Sequence, residues 1–276
     1  MIVYAQLSDI HLDGEERADE RARRVMTHLD TLPLDAILLT GDIADHGEPT
    51  EYEQAREVLK SSLPILTCPG NHDRRRPYRE VLLRESLKDD QDDDRGDQGD
   101  DARGGRGGDL GGGPGRGANG VSEIGPVNRV HEVAGVVFAM CDSTVPGEDH
   151  GFLDEETLAW LDATLGERPG APAFVCFHHP PVPLHIPYVD AIRQFGEDRL
   201  ADVLARHPQV VAVLCGHAHT SAVTTFAGRP LLVAPGVVST LRLPGEEGIV
   251  DLEAPPGYAL HVLHDDRRLT THYRTV

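Results

Sequence analysis

Five short apolar runs in this chain each break off into histidine, aspartate or asparagine, and this pattern limits what it can fold into. IVYAQL gives way to SDIH, with Asp9 and His11, and AILLT to GD, with Asp42. ILTC leads into PGNHD, with Asn71 and His72, VCF into HHPP, with His178 and His179, and VVAVLC into GHAH, with His217 and His219. Apolar runs this short read as buried strands. Between them Ala18, Ala22, Val25, Met26 and Leu29 recur at helical spacing. Pro49 starts a second helix bearing Tyr52, Ala55 and Leu59, and Asp154 opens a third bearing Leu158, Leu161 and Leu165, with Trp160 in its core. A fourth surrounds Leu200, Val203 and Leu204, and two closing strands flank the turn HDDRR. Strand and helix alternate, so a layered α/β fold is expected, with two sheets face to face and helices outside.

The 276 residues suffice for one large α/β domain, read as spanning 1–276. About residues 88–120 the chain is mostly Asp, Gly and Arg, too poor in apolar groups to offset the entropy of ordering, and is expected to be a disordered surface insertion. A formal net charge of -20 repels nucleic-acid backbones and anionic lipid, so neither nucleic acid nor membrane is an expected partner. The start, MIVYAQLSDIHL, lacks a signal-peptide pattern, and a cytoplasmic location is expected. Cys68, Cys141, Cys176 and Cys215 show no CxxC spacing and read as reduced core thiols.

Ligands of open α/β sheets lie beyond the carboxyl ends of strands, so these five sets of polar residues should converge on one rim. Carboxylate and imidazole suit Mn, Fe, Co or Zn, whereas a calcium site would be all oxygen. Glycines directly before Asp42, Asn71 and His217 permit tight turns or close approach. Asp9, His11, Asp42, Asn71, His178, His217 and His219 offer too many donors for one open ion; two divalent transition-metal ions fit better, with His217 and His219 on different ions and a carboxylate such as Asp42 bridging about 3.5–4 Å.

The ordered set DIH, GD, GNHD, HHPP and GHAH resembles the calcineurin-like metallophosphoesterases between residues 8 and 219. Within them, DSTVPGEDHGFLDEETLAWLDATL followed by FHHPPVP is similar to the bacterial class III cyclic-nucleotide phosphodiesterases and their glycerophosphodiesterase relatives. The resemblance implies a four-layer αββα sandwich. It implies Asp9, His11 and His219 on one ion, Asn71, His178 and His217 on the other, and Asp42 as the bridge. His178 is preferred to His179 because the family ligand stands two residues before the proline. His72 matches the histidine that such proteins place beside the phosphate, and Asp45 a carboxylate that some pair with it; both are expected to be catalytic, Asp45 by orienting His72. The Asp/Gly-rich insertion follows GNHD, and the C-terminal region matches no dimerising cap; both bear on substrate choice and oligomeric state, a homodimer being one option.

A phosphodiester resists attack because its oxygens are negative and its leaving alkoxide is poor. Two divalent ions, offset by Asp9, Asp42 and a hydroxide, leave the centre about one unit positive, which attracts a diester monoanion. They would also lower the pKa of a bound water from about 15.7 toward about 7 for in-line attack. The expected activity is hydrolysis of small intracellular phosphodiesters such as 3',5'-cyclic nucleotides. Alternatives are a glycerophosphodiesterase, a phosphomonoesterase or nucleotide pyrophosphatase on the same metals, and a non-catalytic scaffold. Substrate choice is expected in the loops around 148–151 and 184–194.

Overall fold

The computed structural model describes residues 1–87 and 124–276; the Asp/Gly-rich insertion expected at about 88–120 lies outside the described residues. In chain order the first elements are β1 (Ile2–Leu7), α1 (Glu16–Leu29), β2 (Ala36–Thr40), α2 (Pro49–Val58) and β3 (Ile65–Cys68). There follow α3 (Arg75–Pro77), continuing as a π-helical turn (Tyr78–Leu82), and then β4 (Arg129–Val133), β5 (Val136–Met140), β6 (Gly151–Phe152), α4 (Glu155–Gly166) and β7 (Ala173–Cys176). The remainder comprises α5 (Pro187–Ala191), β8 (Gln194–Phe195), α6 (Glu197–Arg206), β9 (Val210–Cys215), β10 (Ala222–Phe226), β11 (Arg229–Val233), β12 (Thr240–Leu241), β13 (Val250–Asp251), β14 (Gly257–Leu263) and β15 (Leu269–Thr275).

Two mixed sheets carry the molecule, one ordered β15-β14-β1-β2-β3 and the other β10-β11-β9-β7-β5-β4. The period-two pattern of β1 divides its side chains. Ile2 and Tyr4 enter the layer between the sheets, while Ala5 and Leu7 face the helices α1 and α2. In the central layer Tyr4 meets Phe138 and Phe174 edge-on, with centroids 5.2 and 5.3 Å apart. The outer face of the second sheet buries Leu158, Leu161 and Leu165 of α4 and Leu200, Val203 and Leu204 of α6, with Trp160 partly buried beside them. The layers therefore run helix, sheet, sheet, helix, as expected.

The helices begin where local chemistry allows. Asp154 accepts a hydrogen bond from the Thr157 backbone N–H at 2.7 Å, satisfying an otherwise unpaired donor of α4. Glu48 and Glu51 form a capping box around Pro49 in α2. Strand β4 carries no apolar alternation strong enough to read beforehand; it exists because Ala134 and Gly135, at φ 49° and 76°, make a tight turn that folds it back on β5. All four cysteines are free and buried, as expected of core thiols. No described helix is long and apolar enough to cross a membrane.

Beneath the rim, the inter-sheet layer turns polar. Gln6 is fully buried and donates to Thr40 Oγ1 at 3.0 Å and to the Cys215 carbonyl at 2.9 Å, joining the sheets. Its Oε1 accepts from His261 Nε2 at 3.1 Å. Burial pushes the His261 pKa down to about 3, so the imidazole is neutral in the fold. An unfolded histidine protonates near pH 6.5, so this contribution to stability is intact above about 6.5 and is lost as pH falls toward 3. Urea unfolding at pH 7 and 4.5 should show the wild type losing about 2–3 kcal/mol more than His261→Gln across that interval. Equal losses would mean that His261 is not held neutral.

Candidate metal centre

The strand-end residues do converge. Past β1 the backbone runs on beside the end of β2, with Asp9 N–H donating to the Gly41 carbonyl at 3.1 Å and His11 N–H to the Asp42 carbonyl at 3.0 Å. The two sheets then meet. His178, at the end of β7, donates its Nδ1–H to the Thr40 carbonyl at the end of β2, 2.8 Å away. Glycine makes this possible: a Cβ on Gly41, at φ +90°, would collide with the His178 ring, and one on Gly216 would lie 2.7 Å from the Thr40 carbonyl oxygen.

Five of the seven predicted ligands have left-handed backbone: Asp9 (φ 56°), His11 (41°), Asp42 (50°), His217 (69°) and His219 (49°). Such geometry costs of order 1 kcal/mol or more per non-glycine residue and concentrates at functional sites. It lets alternate residues of DIH and GHAH turn toward one point.

Among the described residues the donors form three groups, two of them deep at the rim and a third, His11 with Asp45 and His72, at its open side. Asp9, His11, Asp42 and His219 place ligand atoms within 4.8 Å of one another, and so do His178, His179 and His217. Asp42 Oδ2 lies 3.4 Å from His11 Nε2 and 3.2 Å from His178 Nε2, between the groups. His11 and His219 bring their Nε2 atoms to 3.2 Å, and His178 Nε2 lies 3.2 Å from His217 Nδ1. The opposite nitrogens are held elsewhere: His11 Nδ1 by the Asp45 carboxylate at 2.8 Å, His219 Nδ1 by Ser239 Oγ at 2.9 Å. Lone pairs are thus turned inward. Asp9 Oδ2, Asn71 Oδ1 and His217 Nε2 are buried without a hydrogen-bond partner. Buried oxygens left so are what a cation would satisfy, and the donor set fits divalent metal. His179 differs: its Nε2–H donates to the Asp149 carbonyl at 3.2 Å and its Nδ1 accepts from Ser143 at 2.8 Å, leaving no lone pair for an ion.

Burial opposes charge on His178, but Asp42 and Asp9 outweigh it and push its pKa up to about 9. His11 also rises, the Asp45 hydrogen bond and nearby carboxylates overcoming burial. Asp42 is held well below its ordinary value, the surrounding imidazoles prevailing over burial. Burial lowers His217 and His219.

His72 and Asp45 stand at the open side. His72 Nδ1–H donates to the Asp45 main-chain carbonyl at 2.7 Å, while the Asp45 carboxylate is 3.6 Å from that nitrogen and bonded to His11 instead. Asp45 therefore touches both histidines, His72 mainly through its backbone. Beside them opens a cleft of about 670 Å³, lined by His46, His72, Arg75, Ile124, Val145 and Glu148 among others. His150 lies edge-on to Phe195, with centroids 5.6 Å apart.

Three features escaped sequence reading. Ser239 and the Thr40 carbonyl orient the His219 and His178 imidazoles with no signal of their own. Asp73, the last residue of GNHD, is buried and accepts from the N–H groups of Gly70, Ile43 and Ala44 and from Tyr52 Oη, all within 3.2 Å. It locks the β2 and β3 rims together, and its motif position was the available clue.

The profile of the calcineurin-like phosphoesterase family matches residues 2–221. A probable glycerophosphodiester phosphodiesterase of Arcobacter nitrofigilis is 28% identical over 284 residues, covering 98% of this chain and 92% of that protein. A cAMP/cGMP dual specificity phosphodiesterase of Mycobacterium tuberculosis is 28% identical, covering 87% of this chain and 69% of its own. A dimetal phosphatase from Danio rerio shares the fold with a TM-score of 0.68 at 14% identity, covering 99% of this chain and 96% of that one.

Two outcomes follow. A metal bound through His178 would have to displace the proton that this imidazole holds below about pH 9, so affinity would fall with falling pH; calorimetry at pH 7 in buffers of different ionisation enthalpy should show at least about one proton released per chain. No release would contradict the inward-facing imidazoles. Asp73→Asn turns an amide toward backbone N–H groups and should cost about 1–3 kcal/mol in thermal unfolding, whereas an unchanged Tm would deny Asp73 its locking role.

Proposed function

The chain belongs to the calcineurin-like phosphoesterase family, a hydrolase family, and on that premise we propose a dinuclear phosphodiesterase acting on small intracellular diesters such as 3',5'-cyclic nucleotides. Asp9, His11 and His219 would hold one ion in this reading and Asn71, His178 and His217 the other, with the Asp42 carboxylate available to both. The observation that carries it is the convergence of these side chains, two with orphaned buried oxygens, beside a cleft too large for phosphate alone. Mn, Fe, Zn and Co all suit the donors. Residues 1–276 act as one domain, supported by a buried layer that draws Tyr4 and Leu38 from one sheet and Phe174 and Leu214 from the other.

Divalent ions bound there would supply positive charge for the phosphoryl oxygens and would acidify a water. The protein supplies placement. Asp45 keeps His11 facing inward and, through its carbonyl, fixes the Nδ1 proton of His72, so His72 Nε2 is the atom left for substrate. With Nε2 protonated as well, that nitrogen donates a hydrogen bond to a phosphoryl oxygen or gives its proton to the departing oxygen. Gly41 and Gly216 keep the two rims close enough for one phosphate to touch both groups. A glycerophosphodiester is the second reading, favoured by the near full-length match to the Arcobacter nitrofigilis protein.

Chelator-stripped protein should hydrolyse bis(p-nitrophenyl) phosphate when Mn, Fe, Co or Zn is added back, and Asp42→Asn should lose at least about 100-fold in kcat/KM. His72→Ala should lose about 10²–10⁴-fold, more on poor leaving groups than on p-nitrophenolate. Turnover confined to the phosphomonoester, p-nitrophenyl phosphate, would replace the diesterase reading with a phosphomonoesterase.

A further inference from the structure

One wall of the cleft is the segment 144–149, which carries Val145, Pro146, Gly147 and Glu148. Its tip is exposed and folded as a turn, in which the Glu148 N–H donates to the Val145 carbonyl at 2.9 Å. Its base is clamped from two directions. On one side the fully buried His179 donates from Nε2 to the Asp149 carbonyl at 3.2 Å and accepts from Ser143 Oγ at Nδ1, 2.8 Å away. The ring fills the space over Gly151, where a Cβ would strike it. On the other side Arg75 pairs through Nε with the buried Asp142 at 2.9 Å and donates from Nη2 to the Thr144 carbonyl at 3.0 Å. Asp142 completes the clamp by accepting from Thr144 N–H at 2.8 Å.

Both clamps are chain neighbours of the metal centre. His179 follows His178 directly, and Arg75 follows GNHD by two residues. His179 has both nitrogens committed to the loop, so its place beside the ligands serves the wall and not an ion. A wall pinned this way keeps a fixed distance from His72 and the ligand side chains, which a free loop would not.

We propose that His179 and Arg75 are positioning residues that fix segment 144–149 as the specificity-determining wall of the cleft, so that the ester arm accepted by the enzyme is chosen by a loop anchored to the metal-bearing strand ends. The inference rests on the phosphodiesterase reading. It assigns the wall to the organic arm of the substrate, while the phosphate is served by His72 and the ions.

The experiment compares wild type, His179→Asn and Ser143→Ala on two diesters with the same leaving group, bis(p-nitrophenyl) phosphate and methyl p-nitrophenyl phosphate, with bound metal measured in each protein. With the wall loosened, kcat/KM for the large-armed diester should fall about tenfold further than for the small-armed one, through KM, with two ions still bound per chain. Equal loss on both diesters, or loss through kcat alone, would overturn the inference, as would loss of an ion in His179→Asn, which would make His179 a support for His178. If His179→Asn does not fold, Ser143→Ala decides, since it removes one hydroxyl. Wild type inactive on both diesters would overturn the phosphodiesterase reading and this inference with it; a failure of the ratio alone leaves that reading standing.

Discussion

The hydrogen bond from His178 to the Thr40 carbonyl joins an imidazole at the end of one sheet to the backbone at the end of the other, 2.8 Å away. The sheets pack through large side chains such as Tyr4, Phe138 and Phe174, which hold strands well apart. At the rim they must approach to hydrogen-bonding distance. Gly41 and Gly216 allow it by presenting no Cβ where His178 and Thr40 come close, and Gln6 bolts the layer just below through the Cys215 carbonyl. With the rims so joined, Asp42 from one sheet faces His178 from the other, and a two-sided centre exists.

That arrangement is held against local preference. Asp9, His11, Asp42, His217 and His219 occupy left-handed backbone, and several buried polar atoms lie without partners. A chain of marginal stability carries such costs only where the surroundings fix the geometry. Here the surroundings are backbone bonds between the rims, the four donors gathered by Asp73, and the side chains of Asp45 and Ser239 behind the imidazoles. Divalent ions would recover part of the cost, so metal binding and local stability are coupled.

The layered fold and the convergence of donors were legible in the sequence because each rests on a local rule. Strand runs are short and apolar, α2 begins at Pro49 and α4 just after its cap Asp154, and ligands of such sheets gather where parallel strands end. What was not legible depends on contacts across the fold. Strand β4 is made by a turn at Ala134 and Gly135 and not by its own pattern. Asp45 was expected to orient His72 with its carboxylate, but that group lies 2.8 Å from His11 and meets His72 more closely through its carbonyl, a choice set by where the DIH backbone passes. Ser239 lies 20 residues beyond the imidazole it supports, that of His219, with no motif around it.

The proposed centre holds two ions on this rim with Asp42 between them. Anomalous diffraction from crystals soaked in Mn or Zn tests it most directly. Two peaks about 3.5–4 Å apart are expected, one bounded by Asp9, His11 and His219, the other by Asn71, His178 and His217, with Asp42 reaching both. A single peak, or a second one remote from Asp42, would contradict it.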